Sequence, residues 1–374
     1  MARCGIGATP GSAGPTGTVQ GQRSVPEWMA GRRDRKRRPG RRERPKEHDP
    51  PTMDPMRGLA VPLLTRAARP RCFSRLRKRR GSGAALRKRE TPQGGRESGR
   101  GAVAEKTKRK KKTIREIQEM KSRGEKVAMI TAYDATFTKI LDQAGVDIVL
   151  VGDSLGMVIQ GYPDTTHVTL DEMVYHARIV RRGITNSHLC VDLPFMSYQV
   201  SDEQTMESAG RLLKEGGAES VKLEGGSWVA GRVYKLVQAG IPVMGHIGLT
   251  PQSIHQLGGF RIQGRDEKGA QALRDSAREL EEAGAFALVL EGIPAALAKQ
   301  ISQSVQIPTI GIGAGKGCDG QVLVIYDLLG MDNQFNPKFA KKYARLADTI
   351  EGAVQSYIRE VRGGDFPGPE HSYS

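Results

Sequence analysis

The sequence predicts an α/β chain: a closed (β/α)8 TIM barrel over residues 112–374, preceded by a disordered Arg/Gly/Pro-rich extension over residues 1–111. From Lys112 onward, eight short apolar runs alternate with stretches of helical period. The runs are apolar throughout rather than alternating, as parallel strands buried on both faces are. Eight such units in about 240 residues fit a closed barrel better than an open doubly wound sheet, where fewer strands and one Gly-rich dinucleotide turn are expected.

The strands are expected at 127–133 (VAMITAY), 147–153 (DIVLVGD), 188–194 (HLCVDLP), 220–224 (SVKLE), 242–249 (PVMGHIGL), 287–293 (ALVLEGI), 308–315 (PTIGIGAG) and 321–327 (QVLVIYD). Their length and β-branched content set them apart from helices. Amphipathic helices lie between most of them, as at 169–183, 201–217 and 268–284; the last two end on the Gly favoured just past a helix C-terminus. A terminal helix is expected over 337–364.

Charge separates the extension from the rest. Residues 1–102 hold 26 Lys+Arg against 8 Asp+Glu, whereas 103–374 hold 32 against 33, so the high pI belongs to the extension. Without sustained apolar periodicity it cannot bury enough surface to offset chain entropy. Three roles stay open for it: an arm for nucleic acid or an anionic surface, a transit segment from near Met53, or a functionless extension upstream of the true start. Of these, nucleic acid is the partner not expected. Cys4, Cys72, Cys190 and Cys318 show neither zinc spacing nor a disulfide framework, which favours a reducing compartment. No run reaches the roughly 20 apolar residues of a membrane span. The expected location is cytoplasmic, or mitochondrial if the extension is a transit segment.

Four carboxylates, Asp153, Asp192, Glu224 and Glu291, end predicted strands at spacings of 39, 32 and 67 residues. Barrels carry their chemistry at C-terminal strand ends, so these acids and His246 should share one mouth. Asp153, Asp192 and Glu224 form an oxygen-only set on consecutive strands, which suits Mg2+; a single Asp there could equally cap the following helix. Lys222, two residues before Glu224, points to the same interior side and needs an anionic partner, either one of the acids or a substrate carboxylate. Ser154 offers a hydroxyl and an N–H to the same oxygens. Glu291 stands apart from the cluster in an apolar run, where burial and nearby acids would raise its pKa and suit it to be a general base, unless a nearby Arg or Lys pairs with it. His246 reads first as a hydrogen-bonded scaffold residue, with an acid–base role as the alternative. The GIGAG run at 311–315 is either a phosphate loop or turn geometry. These residues alone support a magnesium-assisted enolate enzyme acting on a small keto acid.

Longer motifs go further. MITAYDATFTKILDQAGVDIVLVGDSLGMVIQGYPDTTHVTLDEMVYH, DLPFMSYQ, VKLEGG, HIGLTPQ, GGFRIQGR, GIGAG, DGQVLV and FPGPEHSY occur in order, and together closely resemble the ketopantoate (3-methyl-2-oxobutanoate) hydroxymethyltransferase family over roughly residues 112–374. The resemblance implies transfer of a one-carbon unit from 5,10-methylenetetrahydrofolate to 3-methyl-2-oxobutanoate, giving 2-dehydropantoate and tetrahydrofolate in pantothenate biosynthesis through a Mg2+-stabilised enolate. It implies Mg2+ on Asp153 and Asp192 with Glu224 in or beside the coordination sphere. It further implies keto acid contacts from Asp153, Ser154, Asp192 and Lys222, Glu291 as proton acceptor, and a homo-oligomer, often a decamer. The basic extension departs from the family pattern, and Tyr326 stands where many relatives have His. Two rivals are a carbon–carbon lyase of the phosphoenolpyruvate mutase and isocitrate lyase type, which normally uses a loop cysteine, and an RNA-binding protein whose barrel is a relic.

Overall fold

The computed structural model describes residues 109–332 and 337–373. The expectation for residues 1–108 therefore lies outside the described residues. Lys111, assigned above to the extension, is tied to the barrel by an ion pair with Glu219 at 2.6 Å.

Eight parallel strands close into a barrel in sequence order: β1 Val127–Thr131, β2 Ile148–Val151, β3 His188–Asp192, β4 Ser220–Glu224, β5 Val243–Gly248, β6 Ala287–Glu291, β7 Thr309–Ile312 and β8 Gly320–Leu323. β8 pairs with β1, Val127 lying opposite Gly320. Each predicted strand is present, and several stop short of their apolar run because the chain turns into the mouth. Past β7, Gly313 and Gly315 take φ of +62° and +77°, so the glycines of GIGAG serve a turn.

Among the described residues the helices are α1 Ile114–Ser122, α2 Ala135–Ala144, α3 Leu155–Val158, α4 Leu170–Arg181, α5 Asp202–Lys214, α6 Ala230–Gln238, α7 Ile254–Leu257, α8 Glu267–Glu282, α9 Ala295–Ser304, α10 Ile325–Leu329 and α11 Leu346–Gly363. Their starts are written in the sequence. Asp134, Ser201 and Asp266 accept from backbone N–H groups of the first turns of α2, α5 and α8, while Thr169 and Glu172 form a capping box on α4. The β7–β8 connection, residues 313–319, carries no helix.

The two ends of the barrel differ. At the N-terminal end, Ile117 and Met120 of α1 plug the barrel against Val127, Met129, Phe286 and Ile310. Lys121 locks this plug, donating to the carbonyls of Ser302, Val305 and Ile307 at 2.8, 2.9 and 2.9 Å and pairing with Asp319 at 2.9 Å. The C-terminal end is left for polar groups.

The terminal helix is shorter than predicted. Residues 337–345 form turns whose N–H groups serve α10 instead: Tyr343 N donates to Leu328 O at 2.8 Å, and Ala347 N, in the first turn of α11, to Gly330 O at 3.2 Å. Carbonyls at a helix C-terminus need such outside partners, and here that need overrides local helical propensity.

His188, at the plugged end, is 2% exposed, with Nε2 2.8 Å from Ser220 Oγ. Burial pulls its pKa down to about 4 from 6.5, although Glu219 acts the other way. The unfolded chain therefore binds a proton that the folded chain refuses. Stability from this site is complete above pH 6.5 and is lost as pH falls to about 4, a difference of about 3 kcal/mol. Thermal unfolding between these pH values should show a shallower slope for His188→Gln than for the wild type; equal slopes would contradict this.

Candidate active site

All six residues singled out from the sequence, Asp153, Ser154, Asp192, Lys222, Glu224 and Glu291, line one cavity of about 1,290 Å3 at the C-terminal end of the barrel, together with His246. Strand register arranges them as a staircase. Asp192 pairs in register with Lys222, Glu224 with His246, and Gly248 with Glu291. Asp153 lies just beyond β2, and its N–H donates to Asp192 Oδ2 at 3.1 Å. Gly248, at φ +102°, makes the last step possible: a β-carbon there would stand 2.2 Å from the carbonyl oxygen of Glu291.

Asp153, Asp192, Glu224 and Lys222 are all buried. Burial, then Asp192 and Glu224, push the Asp153 carboxyl well above its ordinary range. Burial also raises Asp192, with Lys222 resisting. Lys222 is buried too, yet Asp192, Glu224 and Asp153 hold its proton more tightly than usual. Its Nζ lies 3.0 Å from Asp192 Oδ1, an ion pair whose approach is off a hydrogen-bond direction, so that buried oxygen has no aligned donor.

His246 stands between two glutamates. Nδ1 lies 3.5 Å from Glu224 Oε1, and Nε2 lies 3.3 Å from Glu291 Oε2 without hydrogen-bond alignment. Burial and Lys222 pull it down, but the two glutamates prevail and push it up to about 9. The ring thus links the acid cluster to Glu291, and no Arg or Lys pairs with Glu291 among the described residues.

Sequence reading passed over Gln252 and Tyr198. The Gln252 side chain donates to Asp153 Oδ2 at 2.8 Å and to Leu193 O at 2.9 Å, while its backbone N–H donates to Glu224 Oε2 at 3.0 Å. Tyr198 Oη lies 2.9 Å from both Gln252 Oε1 and Glu224 O. Both residues stand just past strands, inside HIGLTPQ and DLPFMSYQ, where the strand-end rule could have found them. Tyr133 holds Ser154, hydroxyl to hydroxyl, at 2.9 Å. Tyr326 lines the same cavity, its ring 6.0 Å from that of Tyr133.

Among the described residues, no three His, Cys, Asp or Glu side chains are grouped to hold a metal ion. Glu224 is instead engaged by Gln252 and His246. The pair Asp153 and Asp192 remains, and Mg2+ is commonly held by one or two carboxylates, with waters and substrate oxygens completing the shell. The surplus of buried carboxylates over Lys222 and His246, and the undonated Asp192 oxygen, fit a divalent cation.

A sequence model of the family described as ketopantoate hydroxymethyltransferase matches residues 111–369. The chain belongs to the ketopantoate hydroxymethyltransferase family. It is accordingly an enzyme, a one-carbon transferase. The 3-methyl-2-oxobutanoate hydroxymethyltransferase of Syntrophotalea carbinolica is 56% identical over 265 residues, covering 71% of this chain and 99% of the relative. That of Syntrophus aciditrophicus is 53% identical, covering 71% and 98%. A solved structure of 2,3-dimethylmalate lyase overlays with a TM-score of 0.46 at 16% identity, covering 69% of this chain and 92% of the lyase, too loosely to argue from. The ketopantoate hydroxymethyltransferase match spans the whole barrel, every strand-end acid included. No described helix is long and apolar enough to cross a membrane.

Proposed function

We propose that the chain transfers a hydroxymethyl group from 5,10-methylenetetrahydrofolate to 3-methyl-2-oxobutanoate, giving 2-dehydropantoate and tetrahydrofolate for pantothenate biosynthesis. The observation that carries this reading is one cavity with Asp153, Asp192 and Lys222 on one wall and Glu291 on another, linked by His246. Asp153 and Asp192 would hold Mg2+, with Glu224 beside it. Bound there, the ion supplies Lewis acidity toward the keto oxygen and carboxylate.

The chain's own groups do the rest. Lys222 and Ser154 meet the substrate carboxylate, and Gln252 and Tyr133 fix Asp153 and Ser154. Glu291 takes the C3 proton, with His246 orienting it. The resulting carbon nucleophile attacks the methylene carbon of the donor as its bond to one folate nitrogen breaks, and water then supplies the hydroxyl as the bond to the other nitrogen breaks; the proton taken from C3 and the one left by water balance the two nitrogens of tetrahydrofolate. A lyase using a loop cysteine fits less well. Cys318 does lie in a loop, but it is buried near Thr309, at the plugged end of β7.

The homo-oligomer implied by the family has support in α11. It buries none of its residues and shows Ile350, Val354, Tyr357 and Val361 as one exposed stripe at helical spacing.

Incubating the protein with the keto acid, Mg2+ and the folate donor should release tetrahydrofolate; cleavage of a dicarboxylate without such release would overturn the reading. Asp153→Ala and Asp192→Ala should each raise the Mg2+ concentration for half-maximal rate by about tenfold or more. A wild-type magnesium titration in either variant would count against the metal assignment.

A further inference from the structure

The cavity is larger than the keto acid needs. Sites for drug-sized ligands run roughly 300–1,000 Å3, whereas this one, at about 1,290 Å3, has to house a five-carbon acid deep in the mouth. Two segments that carry no part of the acid cluster also line it. One is GGFRIQGR, between α7 and α8, with Phe260 and Ile262 turned out to solvent at 54% and 48% exposure and Arg261 between them. The other follows α10 and carries Lys338 and Phe339, the latter 45% exposed. All five line the cavity.

Their position is fixed by backbone. Gln263 N donates to Gly292 O at 2.9 Å, which pins the first segment over the residue after Glu291. Phe339 lies over Gly313, where a β-carbon would come within 3.3 Å of its ring. Since Glu291 pairs in register with Ile312, Gly292 and Gly313 are neighbours at the tops of β6 and β7. Both aromatic rings therefore overhang the arc that carries the base, while the acids occupy β2, β3 and β4. Neither Arg261 nor Lys338 has a carboxylate partner among the described residues. Exposed rings flanked by unpaired cations suit a flat ring system ending in an anionic tail.

We propose that the folate donor binds here, over β6 and β7, with its rings against Phe260 and Phe339 and its glutamate carboxylates on Arg261 and Lys338. The methylene carbon then arrives above Glu291, on the side of the keto acid away from Asp153 and Asp192. This rests on the hydroxymethyltransferase reading and assigns it a donor subsite.

Isothermal calorimetry with tetrahydrofolate tests the subsite apart from turnover. Arg261→Glu should weaken binding by about tenfold or more, Arg261→Lys should restore most of it, and Phe339→Ala should weaken it by about threefold to tenfold. Titration of the same proteins with 3-methyl-2-oxobutanoate and Mg2+ should give wild-type affinity. Unchanged tetrahydrofolate affinity in both Arg261→Glu and Phe339→Ala would overturn the subsite, and so would parallel loss of keto acid binding. A wild-type protein that binds tetrahydrofolate in the predicted way but never exchanges the C3 hydrogen of the keto acid would instead overturn the reaction and leave the subsite standing.

Discussion

Glu291→Gln is expected to leave the keto acid bound and to remove hydrogen exchange at its C3 carbon. The substitution keeps size and hydrogen-bonding shape while removing the group that accepts the proton. Gly248 still admits the carbonyl of residue 291, so the side chain stays where the register puts it. General-base catalysis contributes typically 10²–10⁴-fold, and the exchange rate should fall by about that factor. Loss of deuterium incorporation, followed by proton NMR in heavy water with Mg2+ and no folate, is the measurement. Exchange within a few-fold of wild type would mean that another group accepts the proton, His246 being the nearest candidate at 3.3 Å.

Lys222→Met should be the most destabilising single change in the site, and Mg2+ should partly repair it. The methionine fills similar volume but leaves three buried carboxylates facing only His246. Two effects oppose: an ammonium no longer has to be desolvated, but Asp192 loses its cation at 3.0 Å. Removing one partner of a buried pair usually costs about 3–5 kcal/mol, so the second effect wins. Metal-free unfolding should drop by roughly 10 °C, and added Mg2+ should raise the midpoint more in the variant than in the wild type. A metal-free midpoint matching the wild type would show that Lys222 does not neutralise the cluster.

Much of this was legible beforehand. The eight strands were readable because both faces of a parallel barrel are buried, so Val149 and Leu189 are as hidden as Leu150 and Cys190. Asp192, Glu224 and Glu291 were readable because a carboxylate closing an apolar run is conspicuous. Gln252 and Tyr198 were not, since single polar residues in loops carry no period and their partners come from three different strand ends. The setting of His246 was not legible because it depends on register: only the pairing of Glu224 with His246 and of Gly248 with Glu291 sets the ring between two glutamates. Residues 337–345 misled because their local preference is helical and the competing carbonyls belong to α10, which the sequence of that segment does not mention.

The plug at the bottom of the barrel also sets a timetable. Lys121 emerges from the ribosome early, but the carbonyls it bonds lie 181, 184 and 186 residues downstream. The first of the described helices is therefore among the last to dock, and until Asp319 has been made the growing chain holds an open row of strands with Ile117 and Met120 of that helix still uncovered. Contacts of such long sequence separation make folding slow and prolong the exposure of unpaired strand edges.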